Sequence, residues 1–285
     1  MYSRIRKVTF PFAVGIFVGT LFLIAYIFWH KTHDVLTVAF LDVGQGDAIF
    51  IESPSGWQVL IDGGPDRDVL SELSRVMPFY DRTIDVVINT HPDKDHIGGL
   101  PNVLRAYDVS LVLDPDVSSE SATYAYYKDL VVEEKAKYVA AHRGQVIDFG
   151  DGSYLRILFP DRDMNGGPTN NASVIVQLVY GETEVILTGD APKSVESYLV
   201  ILDGEKLKSD ILKAGHHGSK TSSGEVFVHA VSPEYAVISA GKDNSYGHPH
   251  KEVIDTLTRA STTILGTHEE GTIVFSSDGK IFLKE

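Results

Sequence analysis

The 285-residue sequence contains no cysteine. Disulfide bonds, thiolate-ligated metal sites and cysteine nucleophiles are therefore excluded for this chain. A chain of this length is large enough to bury a substantial apolar core without disulfide cross-links. Any metal site must accordingly be built from histidine, carboxylate and other oxygen or nitrogen ligands.

Acidic side chains are missing from the first 31 residues, which contain Arg4, Arg6, Lys7 and Lys31. The rest of the chain has 21 basic and 39 acidic side chains, a net charge of −18. This charge argues against a broad basic face for nucleic acid. It does not exclude a local anion site built around bound metal.

Residues 8–29 form a run of 22 uncharged, mostly apolar residues. A helix of that length is sufficient to cross a bilayer core of about 30 Å. The basic residues before the run place the N-terminus in the cytoplasm. We therefore expect a basic cytoplasmic segment (1–7), a transmembrane helix (8–29) and an extracytoplasmic hydrolase domain (34–285) at the cell membrane. A cleaved signal peptide is the alternative, but "WHKTHD" offers no small-x-small cleavage site.

Beyond the apolar run, β-type apolar segments alternate with helical ones, which predicts one layered α/β domain. Several polar clusters come directly after predicted strands, where loops can present ligands from a rigid scaffold. The predicted strands are 36–43, 48–53, 58–63, 85–90, 153–160, 173–180, 183–190, 210–215, 235–240, 262–267, 271–277 and 280–285. The predicted helices are 67–76, 97–106, 122–137, 193–202, 222–230 and 250–260.

The stretch "NTHPDKDHIGG" (89–99) places four metal-ligand side chains within six residues. These side chains are too close in sequence to reach one tetrahedral ion without strain. They divide readily between two ions, with His91 and Asp93 on one and Asp95 and His96 on the other. Two ions about 3.5–4 Å apart are a common arrangement for metal-assisted hydrolysis.

Three further segments carry candidate functional residues at predicted strand ends. "LTGD" supplies Asp190, and "KAGHHGSKTSSGE" supplies a histidine pair followed by hydroxyls and a lysine suited to an anion. "GKDNSYGHPHKE" (241–252) repeats this chemistry. The candidates in the last two segments are His216, His217, Ser219, Lys220, Thr221, Lys242, Asn244, Tyr246, His248 and His250.

These motifs resemble those of the metallo-β-lactamase superfamily, in which "HPDKDHIGG", "LTGD" and "HHGS" occur in this order. Asp62 in "LIDGG" matches its first motif. "FLDVGQGDAIFIE", "NNASVIVQLVYG", "KAGHHGSKTSS" and "NSYGHPH" narrow the resemblance to the extracellular hydrolase domain of ComEC competence proteins and to stand-alone competence-like hydrolases. It covers residues 36–284. ComEC proteins also have a multi-helix channel, whereas this sequence has one apolar run.

The resemblance implies an αββα sandwich, here preceded by one transmembrane helix, with two divalent metal ions at one edge. It implies that His91 and Asp93 hold the first ion, that Asp95, His96 and His217 hold the second, and that Asp190 bridges them. Asp95, His216 and His248 are the expected catalytic groups, with His216 contacting substrate by analogy with a related phosphocholine esterase. Asp47 and Asp62 are expected to support the ligands from behind.

The superfamily's third motif is normally a histidine, whereas the matching stretch here is "TNNAS". Asn170, Asn171 or water must then take its place. Asp93 also stands where histidine is common. Oxygen-rich ligation shifts the preference from zinc toward manganese, with magnesium less favoured. The expected cofactors are therefore two Zn²⁺ or Mn²⁺ ions.

The expected activity is hydrolysis of phosphodiester bonds, with nucleic acid as the leading substrate and DNA-uptake machinery as a partner. Hydrolysis of choline-bearing or other cell-envelope polymers is the alternative, and lactone or β-lactam hydrolysis is a third. A non-catalytic, metal-stabilised envelope or competence accessory protein is the alternative of a different class.

The charge asymmetry around the apolar run gives the first testable prediction. A reporter fused after Glu285 should lie outside the cytoplasm, because Arg4, Arg6 and Lys7 are retained inside it. A reporter that works only outside the cytoplasm should therefore be active, and one that works only inside it should not. Paired fusions to alkaline phosphatase and to a fluorescent protein measure this directly. A cytoplasmic signal, or a mature protein that begins near Thr32, would contradict the anchor.

Overall fold

The computed structural model describes residues 12–26 and 35–285. Residues 12–26 form a helix (α1) whose large apolar side chains, such as Phe12 and Phe22, are exposed. Within these described residues, no helix combines the length and apolar character required of a membrane span. The transmembrane helix predicted over 8–29 extends at both ends into residues outside the described part.

Two β-sheets lie face to face, and helices cover the outer face of each sheet. This αββα arrangement confirms the layered α/β fold expected from the sequence. The first sheet has eight strands in the order β15-β14-β1-β2-β3-β4-β5-β6, and the second has seven in the order β13-β12-β11-β10-β9-β8-β7. Their bounds are β1 Leu36–Phe40, β2 Ile49–Glu52, β3 Gln58–Ile61, β4 Thr83–Ile88, β5 Asp108–Asp114, β6 Lys137–Ala140, β7 Val146–Asp148, β8 Ser153–Phe159, β9 Ile175–Tyr180, β10 Thr183–Leu187, β11 Ile211–Lys213, β12 Tyr235–Ile238, β13 Thr263–Gly266, β14 Ile273–Ser277 and β15 Phe282–Lys284.

The helices pack their apolar sides on the outer faces of the sheets. Those on the first sheet are α2 (Asp68–Val76), α3 (Lys94–Ile97), α4 (Leu100–Ala106) and α5 (Ala122–Glu134). Those on the second are α6 (Lys193–Asp203), α7 (Glu225–Val231) and α8 (Lys251–Arg259). A short helix α9 (Thr267–Glu270) and 3₁₀ turns at Thr169–Ala172, Gly204–Leu207 and Gly215–Gly218 complete the described domain.

The main core lies between the sheets and is formed by the inward-facing residues of both. Val38, Phe40, Ile61 and Val185 contribute, and each is at most 1% exposed. Several strands, including β3 and β11, are buried along their whole length because helices cover their other face. Burial on both faces fixes the strands rigidly, so that the loops leaving them are held in place.

Strands β3 to β6 run parallel to one another, as do β10 to β13. The carboxyl ends of β3, β4, β10, β11 and β12 meet at one edge of the sandwich, where the candidate ligands follow them. Parallel strands deliver their C-terminal loops to a common edge, which explains how residues far apart in sequence converge here. Strands β5, β6 and β7 were not expected from the sequence.

A close approach of two backbone segments fixes the loop that follows β4. Gly98 lies against the turn that follows β3, and a Cβ atom at Gly98 would stand 2.0 Å from the carbonyl oxygen of Pro65. A Cβ atom at Gly99 would stand equally close to the carbonyl oxygen of Gly63. The pair "GG" in the motif therefore permits the metal-ligand loop to pack directly on the backbone of the neighbouring loop.

Gly98→Ala should destabilise the fold by about 1–3 kcal/mol, because backbone atoms cannot move aside as a side chain can. Gly167→Ala is the matched control, since its Cβ would meet nothing closer than 3.7 Å and its backbone is not left-handed. Urea unfolding of the two variants measures the difference. Equal urea midpoints for the two variants would contradict this prediction, because they would show that the loop accommodates the added methyl group without loss of stability.

Candidate metal centre

The loop after β4 places its four candidate ligands at two different depths. His91 and His96 are completely buried, whereas the side chains of Asp93 and Asp95 are 39% and 34% exposed. Asp93 has extended backbone and immediately precedes α3, so Asp95 and His96 lie within this short helix. The change from extended to helical backbone turns the four side chains toward two neighbouring positions.

Four ligand atoms from three separate loops form a compact group. The side chains of Asp95, His96, Asp190 and His217 each present one ligand atom, and all four atoms lie within 4.8 Å of one another. His96 Nε2 is 3.3 Å from Asp190 Oδ1, and His217 Nε2 is 3.2 Å from Asp95 Oδ2. Ligand atoms bound about 2.1 Å from one tetrahedral ion lie about 3.4 Å apart. The group therefore has the dimensions of a single divalent-metal site.

Buried atoms left without partners support this interpretation. Among the described residues, His91 Nε2, His96 Nε2 and Asp190 Oδ1 are buried and have no hydrogen-bond partner. Buried polar atoms are normally satisfied, and each orphan costs about 1–3 kcal/mol. Imidazole nitrogens and a carboxylate oxygen that face one another are satisfied by a divalent cation, so the residues fit the implied metals.

A second set of ligand atoms lies beside the first and is more open. His91 Nε2 is 3.7 Å from Asp93 Oδ2 and 3.9 Å from Asp190 Oδ2. Asp190 therefore faces both sets, with Oδ1 toward His96 and Oδ2 toward His91. This is the placement expected of a bridging carboxylate.

The candidate histidine ligands are oriented from behind by hydrogen bonds. Asp62 accepts the N–H and hydroxyl of Thr90 at 2.8 and 2.7 Å, and its Oδ2 is 2.7 Å from His96 Nδ1. His217 Nδ1 is 3.0 Å from the carbonyl oxygen of Ser239, which can only accept. Both contacts require the proton on Nδ1, which leaves each Nε2 lone pair for a metal.

A buried ion pair supports His217. Asp47 was expected from the sequence to lie behind the ligands, whereas its partner Lys213 was not expected. Asp47 lies 3.3 Å from His217 Nδ1 through Oδ1 and 2.8 Å from Lys213 Nζ through Oδ2. Lys213 is fully buried and also donates to the carbonyl of Ala214. The sequence feature that could have revealed this ion pair is Lys213 itself, a basic residue within the otherwise apolar segment "ILKAG". Asp47, Asp62 and His96 also lie close together, but Lys213 already supplies the cation there.

Protonation of the cluster follows from its buried carboxylates. Burial opposes a charge on His96, but Asp190 and Asp62 raise its pKa well above the ordinary value. Burial likewise opposes a charge on His217, yet Asp190 and Asp47 raise its pKa to about 9. Metal binding must therefore displace protons from both rings. Metal affinity consequently weakens as the pH falls.

The histidine pair lies on a left-handed turn and not at a strand end. The strand predicted over 210–215 ends at Lys213, and His216 and His217 have φ angles of 50° and 53°. Two consecutive non-glycine residues in this region are strained. The turn aims His217 Nε2 at Asp95, and it aims His216 Nε2 at Asp190 Oδ2, 3.6 Å away.

The segment after the pair was expected to bind anions, and most of its hydroxyl groups are engaged within the protein. The Ser219 hydroxyl accepts that of Thr221 at 3.0 Å, and Thr221 Oγ1 is 3.0 Å from His216 Nδ1. Lys220 is exposed. Only Lys220 in this segment therefore presents a free charged group to solvent near the site.

Glu196 on α6 fixes the far end of this segment and was missed in the sequence. Its two carboxylate oxygens accept the backbone N–H groups of Ser223 and Gly224 at 2.6 and 2.8 Å. Burial raises the pKa of Glu196 to about 7. The residue connects α6 to the start of α7 and so holds the turn that carries His217.

The loop between β12 and α8 lies over the histidine pair. His248 has its ring 5.7 Å from that of His216, and Tyr246 stacks on His248 at 5.6 Å while remaining 64% exposed. Burial, followed by the charges of His217 and His216, lowers the pKa of His248 to about 4. Asn244, by contrast, bonds to the backbone of Gly241 and His248. It therefore shapes the loop.

The remaining predicted residues lie at the rim of the site. Lys242 is exposed, and His250 precedes α8 and accepts the N–H of Lys220 through Nδ1. Asn170 and Asn171 are half-buried on the 3₁₀ turn before β9. The Asn170 amide nitrogen is 3.5 Å from His216 Nδ1, the ring nitrogen that points away from Asp190.

Comparison with known protein families identifies the family to which this arrangement of ligands belongs. The sequence pattern of the metallo-beta-lactamase superfamily matches residues 41–242, which include His91 to His96, Asp190 and the histidine pair. The chain belongs to the metallo-beta-lactamase superfamily. The two-sheet sandwich and its ligand edge are thus those of a superfamily domain.

Curated relatives of this superfamily member include proteins named for competence. The chain is 33% identical over 266 residues to ComE operon protein 3 of Bacillus subtilis (strain 168), which covers 86% of this chain and 33% of that protein. It is 31% identical over 238 residues to Competence protein ComA of Neisseria gonorrhoeae, which covers 82% of this chain and 31% of that protein. The chain thus spans about a third of these relatives, in agreement with the resemblance found in the motifs.

Solved structures agree on the fold. The metallo-beta-lactamase fold protein YhfI from Bacillus subtilis has a TM-score of 0.59 at 14% identity, over 85% of this chain and all of that one. Igni18, a metallo hydrolase from Ignicoccus hospitalis KIN4/I, has a TM-score of 0.52 at 15% identity, over 84% and 98% of the two chains. The superfamily membership makes the chain a metal-dependent hydrolase by family.

Glu196 gives a prediction about pH. The folded protein keeps Glu196 protonated up to about pH 7, whereas the unfolded chain ionises near 4.5. Its contribution to stability is therefore present below pH 4.5 and is lost as the pH rises to 7, by up to about 3 kcal/mol. Urea unfolding of the chelator-treated protein and of Glu196→Gln, compared at each pH, isolates this effect. A difference that stays constant with pH, or grows in favour of the parent, would contradict it.

Proposed function

We propose that this protein is a dinuclear metal-dependent phosphodiesterase that cleaves nucleic-acid strands outside the cytoplasm. The observation that carries the proposal is the convergence of Asp95, His96, Asp190 and His217, beside a second set formed by His91, Asp93 and Asp190. A carboxylate facing both sets is the arrangement that places two divalent ions side by side.

The open side of the centre is suited to a phosphodiester. His216, His248 and Tyr246 border it, and the exposed Lys220 and Lys242 lie on the two flanking loops. Cationic and hydrogen-bonding groups at this rim attract a phosphate in a domain whose net charge is otherwise strongly negative. The acidic surface elsewhere limits binding to the neighbourhood of the centre.

Divalent ions, when bound, supply Lewis acidity that activates water and neutralises charge developing on phosphorus oxygens. The protein's own groups do the rest. Asp62 and Asp47 hold the rings of His96 and His217 in position, and His248 presents its imidazole at the substrate side, next to His216. A hydrogen bond from His248 to the departing oxygen would assist its release.

Nucleic acid is favoured as the substrate for two reasons. Tyr246 offers an exposed ring, stacked on His248, against which a base can lie. The relatives' names, "Competence protein ComA" and "Recombination protein 2", are those of competence and recombination proteins, and this is the second reason. An envelope polymer would use the same phosphodiester chemistry, and the choice between the two is made by the assay below.

The proposed location is the outer face of the cell membrane, with residues 8–29 as the anchor. The exposed apolar side chains of residues 12–26 support this, because large exposed apolar surfaces mark contacts with a membrane or with another protein. The basic residues before the run set its direction. Contact with DNA-uptake or envelope machinery is part of the same proposal.

The activity test uses the 285-residue chain, stripped with chelator and reloaded with Mn²⁺, Zn²⁺ or Mg²⁺. We expect cleavage of labelled single-stranded DNA, with the highest rate in Mn²⁺ or Zn²⁺. His217→Ala should lower the rate by more than about 100-fold, because even partners outside the ligand set cost 10–100-fold. His229→Ala, an exposed histidine on α7, is the matched control.

The substrate panel separates the alternatives. It contains duplex DNA, a chromogenic phosphodiester, a choline-bearing envelope polymer and a β-lactam. Cleavage of the small ester or the polymer but not of DNA would replace nucleic acid by envelope polymer as the substrate. Absence of hydrolysis of every substrate in every metal would favour the non-catalytic accessory role.

A further inference from the structure

The position of His216 raises a question that its substrate-binding role leaves unanswered. Both histidines of the pair adopt the left-handed conformation, and that strain is maintained only when the surroundings require both rings in place. The strained turn brings two adjacent rings to the same carboxylate, Asp190.

The ring nitrogen of His216 that faces the centre is about as far from Asp190 as two ligands of one metal ion are from each other. His216 Nε2 is 3.6 Å from Asp190 Oδ2, and His217 Nε2 is 3.7 Å from the same oxygen. The 3.6 Å separation is close to the 3.7 and 3.9 Å that join His91 Nε2 to Asp93 and Asp190. The His216 ring thus meets the open set of ligand atoms at Asp190 Oδ2.

A chain of hydroxyl groups sets the tautomer of His216. Thr221 gives its hydroxyl proton to Ser219 Oγ at 3.0 Å. Its oxygen is therefore free to accept from His216 Nδ1, also at 3.0 Å. With the proton on Nδ1, the lone pair is on Nε2, toward Asp190. The hydroxyls of "GSKTSS" thus orient a metal ligand in the same way that Asp62 orients His96.

Asn170 was predicted to replace the third-motif histidine, but it lies on the Nδ1 side of the His216 ring, whereas Nε2 faces Asp190. Its amide nitrogen is 3.5 Å from His216 Nδ1, so it approaches the ring from behind. With the proton on Nδ1, this amide N–H group finds no acceptor there, so Asn170 neither replaces a metal ligand nor orients the ring.

We propose that His216 Nε2 is the missing protein ligand of the first metal ion, together with His91, Asp93 and the bridging Asp190. The assignment rests on the dinuclear centre of the proposed function. It gives both ions the same donor set, since the second ion has His96, His217, Asp95 and the same bridge. Two such sets of two imidazoles and two carboxylates suit Zn²⁺ or Mn²⁺.

Metal content of His216→Ala tests the assignment without any measurement of activity. We expect the parent to bind two Mn²⁺ ions with a spin-coupled electron paramagnetic resonance spectrum. His216→Ala should retain one ion, with an uncoupled spectrum, because the second set is intact. Asn170→Ala is the matched control and should retain two coupled ions. Titration calorimetry with Mn²⁺ gives the stoichiometry independently.

Thr221 provides a second test if His216→Ala does not fold. Thr221→Val removes the acceptor for Nδ1–H and should weaken binding of the first ion by about 10–100-fold while leaving the second unchanged. Thr221→Ser should restore the affinity, which a purely steric role of the threonine methyl group would not allow.

Three outcomes would overturn the assignment. They are two coupled ions in His216→Ala, loss of one ion in Asn170→Ala, and binding of a single ion by the parent. Failure to cleave any phosphodiester while the metal counts follow the expected pattern would overturn the proposed function and leave the His216 assignment standing.

Discussion

The carboxylate of Asp62 is the contact on which the rest of the centre depends. It joins the end of β3 to the loop after β4 by accepting both donors of Thr90 and facing His96 Nδ1, all within 2.8 Å. Asp62 itself has a φ of 60°, so the backbone turns sharply to place it there. Since Thr90 also contacts His91 Nδ1 at 3.0 Å, one buried carboxylate orients a histidine of each metal set.

Charge balance explains how so many carboxylates are buried at one edge. Asp47, Asp62 and Asp190 are each at most 3% exposed, and unpaired buried charges cost several kcal/mol each. Lys213 compensates Asp47 permanently, whereas His96 and His217 compensate the other carboxylates only while protonated. The fold thus keeps one fixed cation behind the centre and leaves the front for exchangeable ones, either protons or metal ions.

The sequence predicted the layers of the fold and the cluster after β4 because both depend on local patterns. Apolar runs mark buried strands, and the ligands of "HPDKDHIGG" are neighbours along the chain. It did not predict the Asp47–Lys213 pair or the contact between Glu196 and the N-terminus of α7. Those contacts join residues more than 25 positions apart. Strands β6 and β7 were missed because they are short and largely exposed, and so lack an apolar run.

The histidine pair shows why local rules assign elements better than roles. Adjacent residues on a strand point to opposite faces, and on that basis only one of the two rings should reach the metals. The strand ends before the pair, and the left-handed turn brings both rings to Asp190. A turn of this kind has no signature in hydrophobic periodicity, because it is fixed by contacts from elsewhere, including the Ser239 carbonyl behind His217 and the Thr221 hydroxyl behind His216. The loss of a histidine from the third motif is then compensated within the pair itself, at the cost of local backbone strain.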